Sequence, residues 1–463
     1  MNKLLPSLAL GVLLCSTASA LSVSVKQYGA KGDGKTDDTA AIMAASHAVA
    51  QAGGYLQFPP GTYMINPNKG FVEIGSNMSI WGTGTVRVIP GTGVFDYIIG
   101  AVPQNAAISN VQIRDITIDA NVLNNPGELG GTESTDENIL TAYGLSHLLV
   151  SYATFYVSGP YAIRINDFLT VQNSKFYFEQ RPEQKHFDNS ALLLEADKGT
   201  CSITNNFFQG LTIGAGQAVE IHYSANCVVS NNNFDNYVTA VLPEDNYSLT
   251  FTNNTVTRAE VAVSLWSQHG LDNVSITNNT ISLDTADRQS VSGAGVMFQY
   301  CDSCSPMGSF HNVTITGNTI TYEPDARQNS CVSCFMGIGL QTTGNIDAVT
   351  IKNNTITNAP VRAIQIGSAY TKSVISNVTV EDNTIVSPGN NVYAKSFEAG
   401  INLSGAVQSV SITGNTIKNE ADPFTGNYGL SSDDNGKYQD VVVTDNSVQP
   451  IYKNHISSSI SYH

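Results

Sequence analysis

Short apolar alternations, each broken by one asparagine, recur along the second half of the chain. The phrase is V-x-I-x-x-N-x-I, as in CSITNNFF at Cys201, VSITNNTI at Val274 and VTIKNNTI at Val349. Asparagine holds the sixth position throughout, at Asn206, Asn232, Asn254, Asn279, Asn318, Asn354, Asn383, Asn415 and Asn446. Alternation with period two is a half-buried strand. A strand–turn–strand unit repeated at irregular spacing is a solenoid, in which equivalent positions stack in rows. The asparagine row has the look of a binding strip. An internal ladder, satisfying the backbone at each bend, explains it better.

Each repeat carries another strand of pattern Ala/Gly-Φ-x-Φ-x. Examples are AIRIND at Ala162, ALLLEAD at Ala191, AVEIHY at Ala218, AVLPED at Ala240, AVSLWS at Ala262 and GVMFQY at Gly295. Positions two and four point inward, so three and five point outward. The outward rows then bring Glu195, Glu220, His222 and Glu244 onto three consecutive rungs, with Arg164 one rung before and Trp266 and Gln299 beyond. Asp197, Tyr223, Asp245 and Tyr300 fall at the rim.

The chemistry of that file is acidic. Rungs lie about 4.8 Å apart, so Glu195 and Glu244 have backbones roughly 9–10 Å apart. Side-chain tilt brings such a pair towards the roughly 6.5–9.5 Å of inverting glycosidases, and Glu220 stands one rung from each, nearer the retaining spacing. Crowded carboxylates raise one another's pKa and make a general acid. His222 orients a carboxylate, shares its proton or binds substrate. The bland alternative is an ordinary polar sheet face, with Trp266 under a loop instead of stacked on sugar. Clustered acids with few cations in the same strands favour a functional file with Glu195, Glu220, Glu244 and His222 as catalytic residues. Arg164, Asp197, Tyr223, Asp245, Trp266, Gln299 and Tyr300 are its expected substrate contacts.

Near the start, YGAKGDGKTDDTAAI precedes a helical stretch and then GGYLQFPPGTYMI. Asp38 or Thr39 is placed to cap a helix running to about Ala52, where Gly53-Gly54 stops it. Asp33 and Asp37 read as loop residues. This segment resembles the N-terminal signature of the pectate-lyase-like superfamily, which includes rhamnogalacturonases, polygalacturonases, mannuronan C5-epimerases and phage tailspike depolymerases. The resemblance implies an all-β, single-stranded, right-handed parallel β-helix with an N-terminal capping helix, acting on polysaccharide. The polygalacturonase series N-x-D, D-D, G-H-G, R-I-K has no counterpart in that order. Arg164-Ile165-Asn166 precedes Gln268-His269-Gly270, without paired aspartates between them, so that active site is not carried over. The aspartate–proline–histidine segment of the epimerase branch is also missing, although Tyr161 precedes Arg164.

Composition agrees with a solenoid: 463 residues, 39 of them glycine, and only 13% charged. A net charge of −16 argues against nucleic acid or an anionic membrane as partner, leaving a polysaccharide or oligosaccharide. The first 20 residues, MNKLLPSLALGVLLCSTASA, read as a secretory signal peptide. The expected layout is therefore a signal peptide at 1–20 and a β-helix domain at 21–463. Within the domain lie a cap at 21–55, coils at 56–448 and a tail at 449–463. The mature chain is expected to be secreted, or periplasmic in a Gram-negative host. Seven cysteines include Cys15 in the leader. Of the rest, Cys201 and Cys227 share a row one rung apart and suit a disulfide. Cys301, Cys304, Cys331 and Cys334 form two CxxC pairs, read as disulfides, with structural zinc as the alternative.

These observations favour a secreted glycoside hydrolase without a cofactor. A polyuronate lyase or C5-epimerase is the alternative. It would use Arg164, Lys198 or Tyr223 for proton transfer, beside the basic Arg181, Lys185 and His186 loop. Calcium on Glu195, Asp197, Glu220 and Glu244 would neutralise substrate in that case. A non-catalytic carbohydrate-binding or adhesive β-helix is the third class.

Overall fold

The computed structural model describes residues 20–125, 138–157, 161–179, 190–195, 199–211, 215–284, 293–299, 308–323, 335–368, 373–389, 398–420, 428–450 and 452–463. The proposed signal peptide, Asp197, Lys198, Tyr300, Cys301, Cys304, Cys331, Cys334 and the Arg181–His186 segment lie outside them. Successive strands never pair with their sequence neighbours. Each pairs in parallel with the strand one coil away, giving sheets of 16, 15 and 14 strands. This is the parallel β-helix expected from the repeat.

The V-x-I half of each phrase lies in the first sheet, as in Thr200–Thr204, and the following apolar pair lies in the second, as in Phe207–Gly210. The bend between them explains the phrase. Its fifth residue adopts positive φ, at Asn205, Asn231, Asn253, Asn278 and Asn353, and at Gly317 and Gly414 where glycine replaces asparagine. Asparagine and glycine tolerate this left-handed conformation far better than branched residues.

The sixth residue is the ladder. Asn254 donates its backbone N–H (2.8 Å) and its Nδ2 (3.1 Å) to Asn279 Oδ1, and its Nδ2 also reaches the Val229 carbonyl at 2.9 Å. The same contacts repeat from Asn206 through Asn415 to Asn446. The row is buried from Asn206 to Asn415, so it is scaffold and not a binding strip.

Between the sheets run stacked files of side chains. One is aromatic: Phe155, Phe176, Phe208 and Phe234 follow one another with centroids 4.9, 4.9 and 5.0 Å apart, nearly parallel. Cys201 and Cys227 are register partners in the first sheet and are disulfide-bonded, as their shared row predicts.

The helix Thr39–Ala52 turns Ile42, Ala45 and Val49 into the core at the N-terminal end. It covers apolar surface and strand edges that an open solenoid end would leave to water. Asp38 occupies the N-cap position without capping through its side chain. Its carboxylate instead accepts from the N–H groups of Lys31 (2.7 Å) and Gly32 (3.0 Å) and ties down the preceding loop. At the other end, Lys453–His455 and Ser461–Tyr462 extend the third and first sheets, so part of the expected polar tail continues the coils.

The ladder sets a measurable cost. Asn279→Ala should leave the buried N–H of Asn254 and the Phe251 carbonyl without their partners. Each orphaned buried group costs about 1–3 kcal/mol, so a loss of roughly 3 kcal/mol or more is expected. Denaturant titration checks this, and a loss below about 1 kcal/mol would show that the ladder is not what holds the bends.

Candidate active site

The file lies on the third sheet. Strand Ser190–Glu195 pairs with Ala215–His222, which pairs with Tyr237–Glu244. Their register sets Glu195, His222 and Glu244 side by side, with Trp266 bridged to Glu244 on the next rung. Glu220 sits two residues before His222, between Leu193 and Leu242. The row counting therefore places all four expected residues together.

Their pairing differs from the expectation that cations are scarce here. Arg164 reaches Glu195 Oε2 through Nε and a terminal nitrogen, both at 2.9 Å. The guanidinium also lies 5.2 and 5.4 Å from the ring centres of Tyr143 and Tyr161. Burial would lower the Arg164 pKa, but the charge and hydrogen bond of Glu195, with Tyr143 and Tyr161, together raise it. Arg164 is thus spoken for by Glu195 rather than standing open to substrate.

His222 Nε2 lies 2.7 Å from Glu220 Oε1 and 3.2 Å from Glu244 Oε2. Ser190 Oγ donates to the other Glu220 oxygen at 2.6 Å. Burial alone would lower the His222 pKa. Its bond to Glu220 and the charges of Glu220, Glu244 and Glu195 win and raise it. Nε2 faces two carboxylates, so it carries a proton. Glu244 is the exception among the acids. Burial, reinforced by Asp245 and Glu220 and opposed by His222 and His269, pushes its carboxyl up to about 7. It is the group able to hold a proton near neutrality.

Glu220, His222 and Glu244 present three ligand-type atoms within 4.8 Å of one another. Calcium takes six to eight oxygens, whereas this set has one nitrogen and two oxygens, and the third acid is engaged by Arg164. Asp197, the remaining acid of the expected calcium set, lies outside the described residues.

The remaining expected contacts divide. Trp266 is half-buried and packs against the core. Gln299 accepts from Ser264 Oγ at 3.0 Å. Further along these outward rows, Gln365, Asn402, Ser404 and Ser431 are buried and bond to one another, so that half of the face is not open.

Asp245 was expected to meet substrate at the rim; its carboxylate is instead buried and occupied. It accepts from Ser267 Oγ (2.8 Å), the His269 N–H (2.7 Å) and the Gly270 N–H (3.4 Å), and faces His269 Nδ1 at 2.8 Å. Burial would raise its pKa, but the hydrogen bonds from His269 and Ser267 prevail and lower it. Tyr223 is a rim residue as expected. With Tyr247, His269, Gly270, Asp272 and His311 it lines an open cavity of about 730 Å³ beside the file. His269 and Tyr247 were missed because no row contains them. They sit in the corners after the strands, and the only sequence sign was the Gln268-His269-Gly270 string.

A parallel β-helix with one titratable file beside one cavity is the class of protein that fold and site define. Residues 22–264 match the model of the rhamnogalacturonase A/epimerase, pectate lyase-like family, and the chain belongs to it. It is similar to alginate lyase 7 of Azotobacter vinelandii, 37% identical over 125 residues, covering 24% of this chain and 14% of that protein. Mannuronan C5-epimerase AlgE2 of the same bacterium is 34% identical over 123 residues, 24% of this chain and 12% of that protein. The match therefore spans about one seventh of these relatives' length or less. Among solved structures, a mutant tailspike protein of E. coli bacteriophage HK620 matches with TM-score 0.69 at 13% identity, over 93% of this chain and 80% of that one. The Streptococcus pneumoniae surface protein and adhesin PfbA matches with TM-score 0.53 at 17% identity, over 86% and 100%.

The raised Glu244 has a consequence for stability. An acid whose folded pKa exceeds its unfolded value stabilises the fold most at low pH, and that contribution is lost as pH rises through the folded value. For Glu244 the loss falls between about 4.5 and about 7. Melting temperature should therefore drop between pH 5 and pH 8, and the drop should shrink in Glu244→Gln. Equal drops in both proteins would contradict the elevated carboxyl.

Proposed function

We propose that the protein is an exported enzyme that modifies a uronate-containing polysaccharide. It removes the proton at C5, α to the uronate carboxyl, and either eliminates the 4-linked sugar or returns a proton to C5. The observation that carries this reading is the similarity to alginate lyase 7 and the mannuronan C5-epimerases. The geometry supports it in a specific way. His222, protonated between Glu220 and Glu244, offers positive charge to a substrate carboxylate in an otherwise acidic file. Glu244, pushed up to about 7, offers a proton to the leaving oxygen.

A glycoside hydrolase fits the same file less well. It needs a second carboxylate as base or nucleophile. Glu195 is tied to Arg164, and Glu220 to Ser190 and His222. An adhesive β-helix has only the fold likeness to PfbA behind it.

Alginate and polygalacturonate, incubated with the protein in deuterated water, separate the readings. Elimination gives a 4,5-unsaturated sugar absorbing in the ultraviolet. Epimerisation gives deuterium at C5 without chain cleavage. Hydrolysis gives reducing ends with neither. Glu244→Gln should lower turnover by about 100-fold or more. In the wild type kcat should fall as pH rises through about 7, because the protonated carboxyl is lost. Reducing ends without unsaturation or C5 exchange would sink the uronate reading in favour of hydrolysis.

A further inference from the structure

Among the described residues, the acidic file contains a proton donor but no obvious acceptor. Glu244 is the acid, Glu195 is neutralised by Arg164, and both Glu220 oxygens are hydrogen-bonded. Abstraction at C5 needs a base, and the cavity beside the file holds one.

We propose that His269, held by the buried carboxylate of Asp245, is the catalytic base of this site and works from the adjoining cavity. The proposal rests on the uronate reading above. It starts from Asp245, whose side chain is only 2% exposed, whereas that of His269 is 70% exposed. A buried acceptor-only carboxylate 2.8 Å from Nδ1 requires the proton on Nδ1. In the neutral ring, Nε2 is then the bare nitrogen, and it lies on the edge of the ring away from Asp245. Asp245 is itself fixed by Ser267 Oγ and two backbone N–H groups. The imidazole is thereby oriented by a group that is itself oriented, the arrangement that makes a histidine a competent base. Asp245 is a positioning residue: it selects the tautomer and stabilises the imidazolium once formed.

His269 lines the cavity, and Tyr223, on the same wall, links the cavity to the file. The Tyr223 ring lies 6.1 Å, centre to centre, from both His222 and His269, so it spans the two. About 730 Å³ is room for a sugar unit, with the rings of Tyr223 and Tyr247 on its walls. In elimination, His269 Nε2 takes H5 as a proton and the C5–H electron pair forms the C4–C5 double bond. The C4–O4 bond breaks with its pair on O4, and Glu244 protonates that oxygen. In epimerisation no C–O bond breaks: the C5–H electron pair is held in the enolate of the uronate carboxyl, Glu244 returns a proton to C5 on the opposite face, and solvent exchange restores both groups. Neither course oxidises or reduces the sugar.

The rate should fall as pH rises through about 7, where Glu244 loses its proton. The groups facing His269 are Asp245, Asp272, His311, Tyr223 and Tyr247 around the cavity, with His222 beyond the Tyr223 ring and paired to Glu244.

His269→Gln tests the base, since the exposed ring can be changed without touching the core. kcat on the polyuronate that the wild type turns over should fall about 100-fold or more, with KM within about threefold. Asp245→Asn should lower kcat and change the tautomer of the His269 ring, whereas a purely structural role would leave the tautomer unchanged. Nitrogen-15 NMR of the imidazoles, assigned by the His269→Gln spectrum, should show His269 as the Nδ1–H tautomer and shift with oligouronate. A His269→Gln enzyme within threefold of wild-type kcat overturns the proposal. If the wild type leaves polyuronates untouched, the uronate reading fails, and the spectra decide this inference separately. An Nε2–H tautomer, or no shift with any acidic or neutral oligosaccharide of a panel, then overturns it.

Discussion

The asparagine ladder is the constraint on which the rest of the molecule depends. A parallel β-helix has no hairpins to set its register, so register must be enforced where the chain bends. Each asparagine meets the backbone and the amide of the next, as Asn254 does with Asn279. A one-residue slip would break every such contact and turn each strand inside out. The ladder therefore holds successive coils in register across hundreds of residues. Files such as Glu195–His222–Glu244 inherit that alignment from the scaffold.

With the backbone so regular, chemistry arises from local departures. Titratable groups gather on three coils of the third sheet. Further along the same face, Gln365, Asn402 and Ser431 form a buried network, which the Asp433 carboxyl joins through Asn402 and Ser404. Within the cluster, neighbours separate the roles of chemically identical side chains. Glu195 has a guanidinium, Glu220 a hydroxyl and an imidazole, and Glu244 a share of that imidazole in a partly buried position. Three glutamates thus occupy three electrostatic environments, and the least compensated one retains a proton near neutrality. Asp245, the next residue, turns the other way and spends its charge on orienting His269.

Much of this was legible in the sequence because a solenoid converts spacing into proximity. The repeat identified the strands, the row positions and the disulfide partners Cys201 and Cys227, since equal places in successive repeats must stack. It also placed Glu195, His222 and Glu244 on one line, although they are far apart in the chain. The conserved geometry of a sheet made that inference sound; nothing comparable exists for corners. His269, Ser267 and Tyr247 lie where the chain turns between sheets, and turns follow no period that spacing alone reveals.

Pattern by itself therefore determined the architecture, the identity of the outward rows and the cluster of acids, because these follow from the two-residue period of a strand and the stacking of its repeats. It did not determine what each acid is bonded to. That Arg164 neutralises Glu195, that Glu244 is the carboxyl left to hold a proton, and that Asp245 is buried behind His269 were decided only by the tertiary structure. Side-chain direction and burial set those pairings, and both depend on how strands, corners and neighbouring coils pack together in space.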